Sequence, residues 1–135
     1  MKIIEVTENK KEYLDLLLLA DEQENMVDCY LDNGRMYILD DNGVKSECVI
    51  TGERNGVLEI KNIATVPEHQ GKGYAKPAVQ LILQEIRTHY PNANIYLSVY
   101  AENHPAIALY RSFGFAFTGE LDTKGEEIMI YRNAI

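Results

Sequence analysis

The sequence predicts a mixed α/β domain with the element order β-αα-βββ-α-β-α-ββ, seven strands and four helices. Three observations carry that reading. Strand-like runs joined by tight-turn residues fill much of the first half. Two helical runs bracket a single strand in the second half, so the strands at 57–66 and 94–100 are joined by a crossover and come to lie parallel and adjacent. Two strand-like runs close the chain as a hairpin.

Each element has its own warrant. KIIEV (2–6) reads as a short strand. KKEYLDLLLLADE (10–22) carries Tyr13, Leu14, Leu17 and Leu18 at helical spacing. NMVDCYL (25–31) reads as a second short helix, ended by Asn33-Gly34. RMYILD (35–40) and VKSECVITGE (44–53) are strands joined by Asp41-Asn42-Gly43, and Asn55-Gly56 marks the next turn. VLEIKNIATV (57–66) follows as a strand. Residues 74–88 place Ala75, Ala78, Val79, Ile82, Leu83 and Ile86 on one helical face, and Pro91 ends that element. NIYLSVY (94–100) is a strand. Residues 103–115 open with Asn103 as an N-cap and a proline near the first turn, and Gly114 closes them as a C′ glycine. FAFTGEL and EEIMIYR form the final hairpin.

The chain has 135 residues, enough for one domain, 1–135, with a real core. An apolar share of 46% and a charged share of 25% are those of a globular chain and exclude a disordered one. No apolar run approaches the ~20 residues of a membrane span, and LDLLLLA is too short, and preceded by charges, for a signal peptide. Cys29 and Cys48 form no metal or CxxC spacing, which points to two reduced thiols in a cytoplasmic protein with no metal. Thirteen basic against 21 acidic residues, net −8, exclude the basic face that a nucleic-acid binder needs. That balance is compatible with a cationic small molecule or basic peptide, but charge alone favours a plain solubilising surface.

The stretch TVPEHQGKGYAK (65–76) holds Gly71 and Gly73 where a strand hands over to a helix. A dinucleotide fingerprint fails, because Lys76 stands where a third small residue belongs and no acidic residue follows about 20 positions on. A Walker A loop fails, because Lys72 is followed by Gly73 rather than Ser or Thr. What remains is Gln70-Gly71-Lys72-Gly73-Tyr74-Ala75. Unpaired N–H groups of such a loop and of the first helical turn converge on an anion, at the positive end of the helix dipole. Lys72 and Lys76 add mobile charge.

That string, Q-x-x-G-x-A, resembles motif A of the GNAT superfamily of acyl-CoA-dependent N-acetyltransferases. Asn103-His-Pro-Ala106-Ile-Ala-Leu109-Tyr110-Arg-Ser-Phe-Gly114-Phe115 resembles motif B, N-x-x-A-x-x-L-Y-x-x-x-G-F, in the expected order. The resemblance covers nearly the whole chain, most strongly 57–117, and the element order matches the GNAT fold. Pro77, in or just after the first helical turn, departs from the usual pattern, and the region before residue 35 carries no substrate signature. The resemblance implies acetyl-CoA as co-substrate, with its pyrophosphate held by backbone N–H groups of Gln70 to Ala75 and further contacts from Ala64, Thr65, Val66, Asn103 and Ala106. It also allows a homodimer, since members often pair.

Acetyl transfer from a thioester to an amine needs a neutral amine, a polarised carbonyl and a proton for the leaving thiolate. No enzyme nucleophile is required, and neither cysteine has an activating context. Asn103 and Tyr110 stand seven residues apart on one helical face with Ala106 between them. Motif position makes Tyr110 the proton donor; the alternative is a half-buried core tyrosine. A thiol near pKa ~8.5 and a tyrosine near ~10 make that transfer slightly uphill, so hydrogen bonding to the developing thiolate is the natural role. The resemblance puts the polarising backbone N–H near Thr65 or Val66. It offers Glu59 as base, against a solvent-facing strand glutamate with ordered water doing that work. His69 and His104 fall at the cofactor rim. The acceptor is expected to be a cationic amine near residues 13–35 and 118–127. A non-catalytic acyl-CoA sensor on the same fold is the alternative, and Tyr110 argues against it because a sensor has no use for a donor at the sulfur.

Overall fold

The structure, a computed structural model, describes residues 1–52, 57–66 and 73–132. The turn expected at Asn55-Gly56 and the loop residues His69, Gln70, Gly71 and Lys72 lie outside the described residues. The strands are β1 (Lys2–Val6), β2 (Arg35–Asp40), β3 (Val44–Gly52), β4 (Val57–Thr65), β5 (Asn94–Val99), β6 (Ala116–Leu121) and β7 (Glu127–Tyr131). The helices are α1 (Leu14–Ala20), α2 (Glu24–Asp28), α3 (Ala75–His89) and α4 (His104–Ser112). The strands form one sheet in the order β1-β2-β3-β4-β5-β7-β6, with β4 and β5 parallel and the other neighbours antiparallel.

The helix expected over 10–22 is split. Residues Lys10–Tyr13 form a 3₁₀ turn, and the α-helix begins only at Leu14. Asn9 starts the turn at φ 53°, a left-handed conformation that asparagine tolerates, and its carbonyl accepts the Glu12 N–H at 3.0 Å.

The sheet separates two apolar layers. On one face, Leu17 of α1 and Val27 of α2, with Tyr30 and Leu31 beyond it, pack on Met36, Ile38 and Val49. On the other, Val79, Ile82, Leu83 and Ile86 of α3 and Tyr110 of α4 pack on Tyr37, Cys48, Ile50, Leu58, Ile60, Ile95 and Leu97. Neighbouring residues Cys48 and Val49 therefore belong to different layers, as strand alternation requires.

Two irregularities in β4 shape everything near the site. Ile50 pairs with Ile60 while Val49 pairs with Asn62, so Lys61 is an extra residue, a β-bulge. The bulge reverses parity. Ile60 joins the α3/α4 layer, whereas Asn62, two residues on, donates to the Leu17 carbonyl of α1 at 2.9 Å. The second irregularity is the end of pairing with β5, which runs only from Val57↔Asn94 to Ile60↔Leu97. Beyond Ile60 the two parallel strands part.

Helix α4 is fixed at both ends. The Asn103 side chain accepts the Ala106 N–H at 3.3 Å. At the other end, Phe115 N–H donates to Tyr110 O and Gly114 N–H to Arg111 O, at 3.1 and 3.0 Å, a Schellman closure. Its apolar partner contact is the edge-on packing of Phe115 against Tyr110, ring centroids 5.8 Å apart. Gly114 adopts φ +106°, and a Cβ there would meet the Tyr131 ring at 3.4 Å. Gly114→Ala is therefore expected to cost about 1–2 kcal/mol from the left-handed backbone, read as a lower denaturation midpoint at unchanged m-value in urea.

Candidate active site

The opening between β4 and β5 faces the start of α3 and the side of α4. A narrow cleft of about 100 Å³ lies there, lined by Ile63, Ala64 and Thr65 of β4, Ala75, Ala78 and Val79 of α3, and Leu109 and Tyr110 of α4. Three of these are alanines, so the walls leave room for an unbranched chain rather than a ring. Ala64, Thr65, Ala75 and Tyr110 are among the residues singled out from sequence. Ile63, Ala78, Val79 and Leu109 were legible only as core or strand positions.

The backbone of β4 has a defined polarity here. Val66 N–H donates to Lys45 O of β3 at 2.8 Å. Alternation along an antiparallel ladder then turns Ala64 toward β3 and directs the N–H and C=O groups of Ile63 and Thr65 away from β3, into the opening. Of the two N–H groups proposed as carbonyl polariser, Val66's is thus engaged with β3 and Thr65's points into the cleft. Across the strand, the Thr65 and Ser46 hydroxyls are 3.2 Å apart.

Helix α3 presents its N-terminus to the cleft. Gly73, at φ +84°, leads into it, and a Cβ there would meet nothing within 4 Å. The first turn of any α-helix has N–H groups without intrahelical partners. Pro77 falls within this turn, where its missing N–H removes no helical hydrogen bond, so the departure noted in the sequence is harmless. The Tyr74 hydroxyl donates to Asp41 Oδ2 at 3.1 Å, which ties the start of α3 to the β2–β3 turn. Lys76 is exposed on this first turn, and Asn103, His104 and Ala106 form the start of α4.

Tyr110 is buried, 8% exposed, and borders the cleft. Burial, with the Cys48 and Glu47 charges adding, pushes its hydroxyl up to about 12. Among the described residues that hydroxyl has no hydrogen-bond partner. Tyr110 is thus a buried hydroxyl bordering the cleft, with its ring packed edge-on against Phe115.

Glu59 does not join this group. It pairs with Tyr96 in the closed part of the β4–β5 ladder and is bound to Lys61 Nζ at 3.0 Å. Other polar groups, unflagged by the sequence, do converge on the α1/α2 side of the opening. Asn62 donates to Leu17 O and to the Tyr30 hydroxyl, both at 2.9 Å, and Tyr30 donates to Asp21 at 3.2 Å. Burial, aided by the Asp21 and Glu47 charges, raises the Tyr30 hydroxyl, although the Asn62 bond opposes this. Nearby, burial together with the field of Asp122 raises Glu126, to which Asp21 also contributes. Burial works against the charge of Asp122, but the N–H groups of Glu126 and Lys124 and the Ser98 side chain outweigh it and hold that carboxyl low.

A mixed sheet opened between its two parallel strands, with a helix N-terminus and a buried tyrosine facing the gap, is the acyl-CoA N-acyltransferase architecture that the sequence motifs implied. The chain belongs to the acetyltransferase (GNAT) family, whose sequence model matches residues 4–115. Among curated relatives it is 38% identical over 77 residues to the spermine/spermidine N(1)-acetyltransferase of Bacillus subtilis (strain 168), covering 57% of this chain and 51% of that protein. It is also 38% identical over 98 residues to the spermidine N(1)-acetyltransferase of Escherichia coli (strain K12), covering 62% and 51%. The chain thus spans about half the length of the curated relatives it matches. Among solved structures it is similar to a Bacillus subtilis acetyltransferase in complex with CoA (TM-score 0.85, 22% identity, 99% of each chain). An Elizabethkingia anophelis GNAT family acetyltransferase with acetyl-CoA bound is close to it as well (TM-score 0.84, 20% identity, 97% of each chain).

The packing separates the two jobs of Tyr110. Its ring fills the layer between α4 and the sheet, while its hydroxyl serves no contact among the described residues. Tyr110→Phe should therefore leave the melting temperature level or slightly raised, and Tyr110→Ala should cost about 3–5 kcal/mol, as large buried aromatics do. Equilibrium unfolding of the two variants checks both.

Proposed function

We propose that the chain is an N-acetyltransferase, one domain over residues 1–135. It moves the acetyl group of acetyl-CoA to a primary amine in a ternary complex, by direct attack and without a covalent enzyme intermediate. The observation that carries this reading is the cleft itself. It gathers the N-terminus of α3, the outward N–H of Thr65 and the Tyr110 hydroxyl around one narrow trench. The trench suits the pantetheine arm, the helix N-terminus suits the pyrophosphate, and Gly73, Tyr74 and Ala75 supply its described part. Gln70, Gly71 and Lys72 complete that seat in the same reading.

In the reaction, the amine lone pair attacks the thioester carbonyl while the Thr65 N–H supports the oxyanion; one such donor is worth roughly 10²-fold or more. As the C–S bond breaks, the Tyr110 hydroxyl hydrogen-bonds the sulfur and supplies its proton. Glu59, bound to Lys61 on the closed stretch, would reach the amine only through ordered water. The acceptor class is supported by the polyamine acetyltransferases among the relatives and by Asp21, Asp122 and Glu126 on the acceptor side. We read it as a cationic small-molecule or peptide amine, used in the cytoplasm by a monomer or homodimer.

Three measurements test this. Acetyl-CoA should raise the melting temperature by mass action, and Gly73→Glu, which sets bulk and negative charge at the pyrophosphate seat, should abolish the shift. Equal stabilisation of that variant would remove the loop from the mechanism. Tyr110→Phe should lower kcat and kcat/KM together by ~10²-fold or more with acetyl-CoA affinity kept; an active Phe variant would make Tyr110 structural. The raised hydroxyl also sets a pH limit. With Tyr110 pushed up to about 12, the acid stays protonated through pH 7–10, so the rate profile should show no loss attributable to it in that range, and an alkaline limb near pH 9 that vanishes in Tyr110→Phe would contradict the assignment.

A further inference from the structure

Glu47 lies on β3, where it pairs with Ile38 on one side and with Ala64 of the cleft wall on the other. Its neighbours in sequence, Cys48 and Val49, face opposite layers, so Glu47 shares the α1/α2 face with Val49. It is 1% exposed, and neither carboxylate oxygen has a hydrogen-bond partner. Asn62 is its diagonal neighbour on that face, a spacing that long side chains bridge. Both Asn62 N–H donors are committed, to Leu17 O and Tyr30, and its Oδ1 is likewise buried and unpartnered. Three orphaned acceptors thus stand on one face, beside the gap between β4 and β5. Buried acceptors without a donor are rare in folded proteins and ask for an explanation.

The missing partner must bring several donors and a positive charge. An alkylammonium group carries three N–H donors on one charged nitrogen. We propose that Glu47 and Asn62 form the seat of the acceptor's reacting ammonium group, with Glu47 its counter-charge and direct proton acceptor. The surroundings fit. Glu47 faces the same layer as Tyr30, and its charge adds to the upward shift of both the Tyr30 and the Tyr110 hydroxyls. Cys48, the remaining titratable neighbour, is fully buried, and the Glu47 charge helps hold it as a neutral thiol. Asp21 is bonded to Tyr30, and its field reaches Glu126, which stands with Asp122 in the β6–β7 turn. A linear polycation would place one end at Glu47 and its further charges along these acids.

The proton count closes. Of the three protons on the incoming nitrogen, one passes to a Glu47 oxygen and one stays on the product amide. The third replaces the proton that Tyr110 gives to the CoA sulfur. The N–C bond forms as the C–S bond breaks, and no further reactant is needed. Burial holds the Glu47 carboxyl well above the usual carboxylate range, which makes it a base strong enough for this exchange.

This assignment rests on the acetyltransferase reading for its chemistry, but its first test does not. In protein labelled at the glutamate side-chain carboxyl carbon, at pH 7.5, the Glu47 resonance should move toward the ionised position as spermidine or n-butylamine is added. That measurement needs neither acetyl-CoA nor a variant. A Glu47 resonance unmoved by saturating amounts of both amines overturns the assignment. The second test uses Glu47→Gln. Its melting temperature at pH 8 should hold or rise, because a carboxyl with a raised folded-state pKa costs stability above its unfolded value near ~4.5. The stabilisation by acetyl-CoA should persist, and kcat/KM for spermidine should fall ~10²-fold or more. Wild-type turnover in a folded Glu47→Gln protein also overturns the assignment. Absence of any acetyl-CoA effect on the wild-type protein would instead remove the acetyltransferase reading and leave the ammonium seat to the carboxyl resonance alone.

Discussion

The molecule depends on where β4 and β5 stop pairing. Four residue pairs, Val57↔Asn94 through Ile60↔Leu97, hold the two halves of the sheet together. A parallel ladder that ran on would tie up the outward N–H and C=O groups of Ile63 in hydrogen bonds and close the cleft. Because it ends, those groups face an opening, and the N-terminus of α3 and the side of α4 are placed around it. The short ladder is tolerable because β4 remains fully paired with β3 as far as Thr65, and Val66 adds one bond beyond it. The strand is anchored on one edge and open on the other.

The two faces of the sheet divide the chemistry between them. On the α3/α4 side the lining is mostly apolar, with the Tyr110 hydroxyl held there by a helix closed at both ends and the Thr65 hydroxyl 3.2 Å from that of Ser46. On the α1/α2 side Tyr30, Asn62 and Glu47 are buried and polar, and the Glu47 carboxylate and the Asn62 Oδ1 lack partners. Such groups cost folding energy, and natural proteins tolerate that cost at sites where another molecule completes the bonding. Glu59 sits apart from both, on the closed stretch and bound to Lys61.

Much of this was legible in the sequence, for physical reasons that differ by element. The crossover helix and α4 were clear because their apolar positions recur at helical spacing and Asn103 and Gly114 mark the ends of α4. Tyr110 was singled out by its place in the stretch that resembles motif B, where it shares a helix face with Asn103 and Ala106. The 3₁₀ turn at 10–13 was not, since Leu14, Leu17 and Leu18 give the same periodicity whether the helix begins at residue 10 or 14. Glu47 was invisible for a deeper reason. In VKSECVITG a glutamate between a serine and a cysteine reads as a solvent-facing strand residue, and only the packing of α1 and α2 buries it. The bulge at Lys61 leaves no mark in composition, yet it decides that Asn62 faces the α1/α2 layer. The committed bond of Val66 likewise follows from ladder phase, which no single strand reveals.

That bulge has a genetic consequence. Side chains on a strand alternate, so removing or adding one residue inverts every position downstream. Loss of the codon for Lys61 would only regularise the strand, because Ile60 and Asn62 would become adjacent and still face opposite layers. Loss of a codon within the regular stretch from Asn62 to Thr65 would exchange the faces of the residues beyond it while leaving every element in place. Descendants of this sequence should vary in what these residues are, and even lose Lys61, long before they vary in how many stand between Asn62 and the glycine loop.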